Sequence, residues 1–280
     1  MEMNFAEEMA EAEVEKVAYF YVDETLLKIE GKKHVIVGAL TPTSPAEASL
    51  EMVKVKAELG FAPLDEVKMN TRGLTRDLKI KLTDGVLGIL GGCTAFISIV
   101  EGEDKQIAAE VLALQVLDYC NQNNKKAYFL YFDKDLVPRP REFENYVRRR
   151  LTDGANCIGI QHLNSSGEQL VQCCDVFLGL FRLSMEIELG GRVIKRAVYR
   201  GSLDEEEEWS LSEYVIVSTR GQVWGEQKMM NVSDDPEYED ITYPFHCSMN
   251  LGVRIASTIS QEIKQTLEDR LATAFMGCLS

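Results

Sequence analysis

Two apolar segments of this chain each run into an aspartate: Val17-Ala18-Tyr19-Phe20-Tyr21-Val22 meets Asp23, and Ala127-Tyr128-Phe129-Leu130-Tyr131-Phe132 meets Asp133. Short runs rich in aromatic and β-branched residues read as buried strands. In open α/β sheets, functional groups gather at the carboxyl ends of such strands, where loops expose them and the sheet fixes them. One strand-ending aspartate usually does no more than cap a turn or the next helix. Two of them favour a site. Carboxylates brought together resist ionisation, because like charges raise one another's pKa unless something compensates. A hard divalent cation with oxygen ligands, Mg²⁺ or Mn²⁺, supplies that compensation.

The elements that must position these acids follow from the apolar patterning. His34 to Leu40 reads as a second strand, joined to the first by a polar turn at Lys28–Lys33. A helix is predicted from Pro45 to Gly60, with Ser44 as its cap and proline in its first turn. Phe61 to Gly73 reads as a loop holding Asp65-Glu66-Val67-Lys68, and a helix follows from Leu74 to Leu90. Cys93 to Val100 is a strand, Glu103 to Gln122 a helix, Arg141 to Leu151 a charged helix and Cys157 to Ile160 a short strand. Leu170 to Leu189 is a long helix carrying Gln172 and Asp175. Strands separated by helices after an opening hairpin predict an α/β sandwich on a mixed sheet. Gly190-Gly191 marks a change of texture. The chain thus divides into an acidic lead (1–16), a core (17–190) and an α+β extension (191–280) packed on it, with a strand at Tyr214–Ser218 and a helix over 257–275.

Composition limits the function classes. With 45% hydrophobic and 27% charged residues, the chain is that of a soluble globular protein with a real core. No apolar run is long enough for a membrane span, and the acidic start is unlike a signal peptide. Seven cysteines without a CxxC pair and three scattered histidines argue against zinc or a disulfide framework and fit a reducing cytoplasm. The net charge of −15 works against binding a phosphate backbone at long range. That charge is uneven: the 204–208 run is acidic, whereas Arg148-Arg149-Arg150 is basic. The acidic surface suits a protein partner as well.

Tyr21-Val22-Asp23-Glu24-Thr25 resembles the opening hydrophobic-Asp-Glu-Ser/Thr signature of the bacterial domain-of-unknown-function 3800 family. Glu66-Val67-Lys68 is similar to its Glu-x-Lys element, Phe132-Asp133 to its aspartate after the central strand, and Gln172-Cys173-Cys174-Asp175 to its closing Gln-x-x-Asp helix. The resemblance covers residues 17–190, in order. Leu26 stands where the family usually has glycine, and Cys173-Cys174 lie before the last aspartate where the family more commonly has Leu-Ala surroundings, which marks a divergent member. It implies a ribonuclease H-like fold, with Asp23, Glu66, Asp133 and Asp175 as metal-site carboxylates. Glu110, one helix before Asp133, is the substitute for Glu66.

On that carry-over the chemistry is phosphodiester hydrolysis of RNA or DNA. Two metal ions about 3.5–4 Å apart can activate a water and stabilise the leaving oxygen with no protein nucleophile. Lys68 would hold a carboxylate or the scissile phosphate. Glu24, pointing to the other side of its strand, and Gln172, one helical turn from Asp175, are expected to support the ligands by hydrogen bonds. His162 is either a proton shuttle or a loop histidine satisfied by its neighbours. Trp209 and Trp224 read as packing the extension onto the core. Two other readings compete. One is a catalytically inactive module that binds a partner or senses, as in a bacterial defence system. The other makes Asp65-Glu66-x-Lys68 a restriction-endonuclease-like triad, which needs a strand-borne hairpin that Pro63 disfavours.

Overall fold

The computed structural model describes residues 16–29, 31–151 and 154–188, with short stretches between 214 and 265. Its centre is a mixed sheet. β1 (Val17–Ile29) pairs antiparallel with β2 (Lys32–Pro42), and β2 pairs antiparallel with β3 (Cys93–Glu101). On the other side of β1, β4 (Ala127–Asp133) runs parallel to it, and β5 (Asn156–Leu163) runs parallel to β4. The short β6 (Gln227–Met229) and β7 (Ser248–Asn250) pair with each other, while β8 (Val253–Ile255) adds to the edge of β3, giving the order β5-β4-β1-β2-β3-β8. The helices are α1 (Pro45–Glu58), α2 (Arg76–Leu90), α3 (Lys105–Gln122), α4 (Pro140–Arg150) and α5 (Gln169–Glu188).

Strand alternation divides the apolar residues between two cores. Phe20, Val22, Val35, Val37, Phe96 and Leu130 face α3 and α4. Leu27, Ile36, Leu40, Ile97 and Ile99 face α1, α2 and α5. The sheet is therefore sandwiched, and a residue's parity along β1 decides which core it meets.

Two expectations need correction. β1 does not end at Asp23: it continues to Ile29, held by pairing with β2 as far as Ile29↔Lys32, and turns through Gly31 at φ +82°. The edge at Asp23 arises because β4 stops there. Tyr214, Val215 and Ser218 are helical rather than a strand. Their β-branched run meets a tertiary environment that overrides propensity: Tyr214 donates to Asp84 on α2 (3.0 Å), and Thr219 donates back to the Val215 carbonyl (2.7 Å). The lead 1–15, the acidic run 204–208, Trp209 and most of the helix expected over 257–275 lie outside the described residues.

Candidate active site

The parallel register of β1 and β4 runs from Val17↔Ala127 to Val22↔Phe132, so Asp23 and Asp133 come one position later, side by side where β4 ends. Partners in a parallel ladder project to the same face. Both strands thus carry the same pattern there, Tyr19-x-Tyr21-x-Asp23 and Phe129-x-Tyr131-x-Asp133, with Tyr21 and Tyr131 stacked at 5.2 Å. This face is the one α5 crosses. Across the hairpin Asp23 pairs with Gly38, where a Cβ would lie 2.6 Å from Leu178 Cδ2 and 2.9 Å from the Phe96 carbonyl oxygen. The bare backbone at Gly38 lets α5 approach. The Cys174 thiol then donates to the Gly38 carbonyl (3.5 Å), and Asp175 comes within electrostatic reach of Asp23.

Glu66 and Lys68 arrive on the loop between α1 and α2. Val67, fully buried, anchors that loop in the core beneath α5, and its N–H donates to Gln172 Oε1 at 3.4 Å. Gln172 Nε2 donates to the Ser165 carbonyl (2.6 Å), and Ser165 Oγ donates to Glu66 Oε1 (3.1 Å). Lys68 Nζ then lies 3.0 Å from Glu66 Oε1 and 3.5 Å from Asp175 Oδ2.

The anchor beneath this loop escaped the sequence reading. Lys56, in the last turn of α1, is fully buried and donates to the Pro63 carbonyl (2.5 Å), Gln169 Oε1 (3.2 Å) and Gln172 Oε1 (3.3 Å). Gln169 Nε2 also donates to the Pro63 carbonyl, at 2.9 Å. One signal was present: Met52, Lys56 and Leu59 follow helical spacing, and all three are buried, so a lysine occupies a core stripe. Such a lysine persists only when its donors are satisfied.

The electrostatics show how crowded the pocket is. Asp23, only 5% exposed, is raised well above the carboxylate range, first by burial, then by Asp175, Glu24 and Asp133, although the Glu24 N–H donates to it at 2.7 Å. Asp175 is raised by burial and by Glu66 and Glu24, against the lowering effect of Lys68. Asp133 is raised by burial, with the Lys134 N–H opposing and Glu24 reinforcing. Glu66 is lowered, chiefly by its hydrogen bond from Lys68. Burial acts against the Lys68 charge, but Asp175, Glu66 and Asp23 outweigh it and hold that lysine above its usual range. Among the described residues, no three histidine, cysteine, aspartate or glutamate side chains converge on one point as they stand.

Other residues sit elsewhere. Glu24 projects away from Asp23 and pairs with Lys105 at the start of α3 (2.5 Å), while its Oε2 is buried without a partner. Glu110 lies on α3, across the sheet from α5, and accepts from Gln106 Nε2 at 3.1 Å. Glu66, not Glu110, is the glutamate that shares Lys68 with Asp175. His162 pairs in register with Phe132 and stacks on its ring at 5.8 Å, which places it on the α3–α4 face rather than beside Asp175. Neither of its ring nitrogens has a hydrogen-bond partner, and burial lowers its pKa. Residues 61–75 form neither strand nor helix, which removes the hairpin that the restriction-endonuclease-like reading requires. Trp224 packs on Phe96 (5.8 Å) and Tyr119 (5.6 Å), as a residue that fastens the extension to the core would.

No family model and no curated protein matches the chain. Among solved structures, it is similar to a chain of the PCNA:RNase HII complex from Archaeoglobus fulgidus, at 10% identity over 78% of this chain and 100% of that one, with a TM-score of 0.35. It is also similar to ribonuclease H2 from Pyrococcus horikoshii OT3, at 12% identity over 71% of this chain and 85% of that one, with a TM-score of 0.40. The order and directions of the strands, not these scores, carry the architecture: an antiparallel β1-β2-β3 meander with β4 and β5 added parallel on the far side of β1. The fold is ribonuclease H-like. Among the described residues no helix is long and apolar enough to cross a membrane.

Proposed function

We propose that this protein is a divalent-metal-dependent nuclease that hydrolyses phosphodiester bonds of RNA or DNA. One observation carries the reading: Asp23 and Asp133 from neighbouring parallel strands and Asp175 from α5 gather on one face, and burial and neighbouring carboxylates raise the pKa of each. Burying mutually repelling acids is unfavourable, Lys68 reaches only two of the four, and a bound divalent cation would offset the rest. The donor set suits Mg²⁺ or Mn²⁺, being all hard oxygen. Asp23, Glu66, Asp133 and Asp175 would hold the ions. When bound, such ions activate a water and stabilise the leaving oxygen of an in-line displacement. Gln172 and Ser165 fix the Glu66 loop, and Lys68 sets the charge balance between Glu66 and Asp175. This assignment agrees with membership of the family that the sequence resembles, which is part of the same proposal.

Labelled RNA, DNA and RNA–DNA hybrid incubated with Mn²⁺ test it. Cleavage by the wild type is expected to fall at least about 10²–10³-fold in Asp23→Ala and in Asp175→Ala, the loss typical when one preorganised electrostatic group is removed. Cleavage that survives both substitutions would remove the site.

A second reading is an inactive module of the same fold, binding a protein partner through its acidic surface. The net charge of −15 and the pairing of Lys68 with two of the four acids favour it. Absence of Mn²⁺ binding together with a stable partner complex would decide for that alternative.

A further inference from the structure

We propose that the Lys68 ammonium is a built-in counter-cation that competes with the divalent ion for Glu66 and Asp175. The inference rests on the metal-dependent reading above and assigns Lys68 a role within it. Lys68 Nζ bridges the two carboxylates at 3.0 and 3.5 Å, so one positive charge already stands between two of the four acids. Its backbone is fixed, because the Lys68 N–H donates to Thr71 Oγ1 (2.7 Å), Thr71 N–H donates to the Lys68 carbonyl (2.9 Å), and Val67 next to it is buried. The side chain is 44% exposed and leads to solvent, so it can leave the acids by rotation about its own bonds. A lysine is suited to this exchange: a compact point charge on a flexible four-carbon stem, without the fixed fork of an arginine. Metal-free protein therefore tolerates its acids through Lys68, and a divalent ion has to displace the ammonium to reach Glu66 and Asp175.

The test is Mn²⁺ titration followed by the electron paramagnetic resonance signal of the free ion, which reads binding without activity. Lys68→Met is expected to bind Mn²⁺ about tenfold or more tightly than the wild type, and Lys68→Arg to bind no more tightly than the wild type. In metal-free buffer Lys68→Met is expected to melt at a lower temperature than the wild type, a difference that Mn²⁺ erases. Equal or weaker Mn²⁺ binding by a folded Lys68→Met overturns the proposal and makes the lysine a support of the site. Asp23→Asn separates the two inferences. If it abolishes Mn²⁺ binding while Lys68→Met leaves affinity unchanged, the metal site stands and the competition falls. If none of the four proteins binds Mn²⁺, both fall.

Discussion

Replacing Asp23 with asparagine is expected to stabilise the metal-free protein at neutral pH, by about 1–2 kcal/mol, the gain common for a single relieved conflict at a functional site. For a chain of this size that is a rise in melting temperature of roughly 2–4 °C per kcal/mol. The cause is the folded-state pKa of Asp23, raised by burial, Asp175 and Glu24. A group whose folded pKa exceeds its unfolded value contributes stability that is fully present below the unfolded pKa, about 4 for aspartate. That contribution is lost as pH rises through the folded value. Wild-type protein is thus penalised at neutral pH, whereas the amide, which never ionises, is not. The advantage of the variant should shrink as pH falls toward about 4. Thermal melts across that range in a chelating buffer measure it. A variant less stable than wild type at neutral pH, with a difference that does not vary with pH, would contradict the crowding of acids around Asp23.

Lys56→Met should have the opposite sign and a larger size. The methionine fills the space of the stem but leaves the Pro63 carbonyl, Gln169 Oε1 and Gln172 Oε1 without the ammonium. Gln169 Oε1 is left without a donor, at a cost of about 1–3 kcal/mol, while the Pro63 carbonyl and Gln172 Oε1 keep Gln169 Nε2 and the Val67 N–H but each lose a charge-assisted hydrogen bond. Relief from burying a charge offsets part of that, because burial already pushes the Lys56 pKa down. A net loss of about 2–4 kcal/mol follows. The damage is local to function as well, since the same lysine ties the 61–68 loop to α5 and hence sets where Glu66 stands. Hydrogen exchange at Val67 should accelerate in the variant, because Gln172 Oε1, which accepts from both Lys56 and the Val67 N–H, loses its fixed position. Lys54→Met, on the exposed side of the same helix, should change stability by less than about 0.5 kcal/mol. Equal effects at 54 and 56 would contradict the role given to Lys56.

These two residues mark the limits of what the sequence discloses. The strands were legible because apolar runs ending in Asp23 and Asp133 are short, aromatic and bounded, and the helices because of their apolar spacing. Ser44, expected to cap α1, stands at its N-cap with no side-chain hydrogen bond, whereas Thr75 and Asp104, which no reading singled out, do cap α2 and α3. Order along the chain was enough to expect the mixed sheet. The end of β1 was not legible: Thr25 to Ile29 looks like any segment leading to a turn, and only pairing with β2 makes it strand. Gly38 was read as one more residue of a strand, because the reason for it, the passage of Leu178 on α5, is a tertiary contact. Lys56 was not legible because its acceptors lie 7, 113 and 116 residues away. His162 could be placed near the acids by sequence order, yet strand parity puts its ring on the far face with Phe132.

A crystal of the wild-type protein grown or soaked with Mn²⁺ and examined by anomalous diffraction shows directly whether these carboxylates hold a metal ion. An anomalous peak is expected within coordination distance of carboxylate oxygens of both Asp23 and Asp175, with the Lys68 ammonium displaced from between Glu66 and Asp175. Mn²⁺ bound at other residues, or none at all with Asp23 and Asp175 left apart, would contradict the metal site.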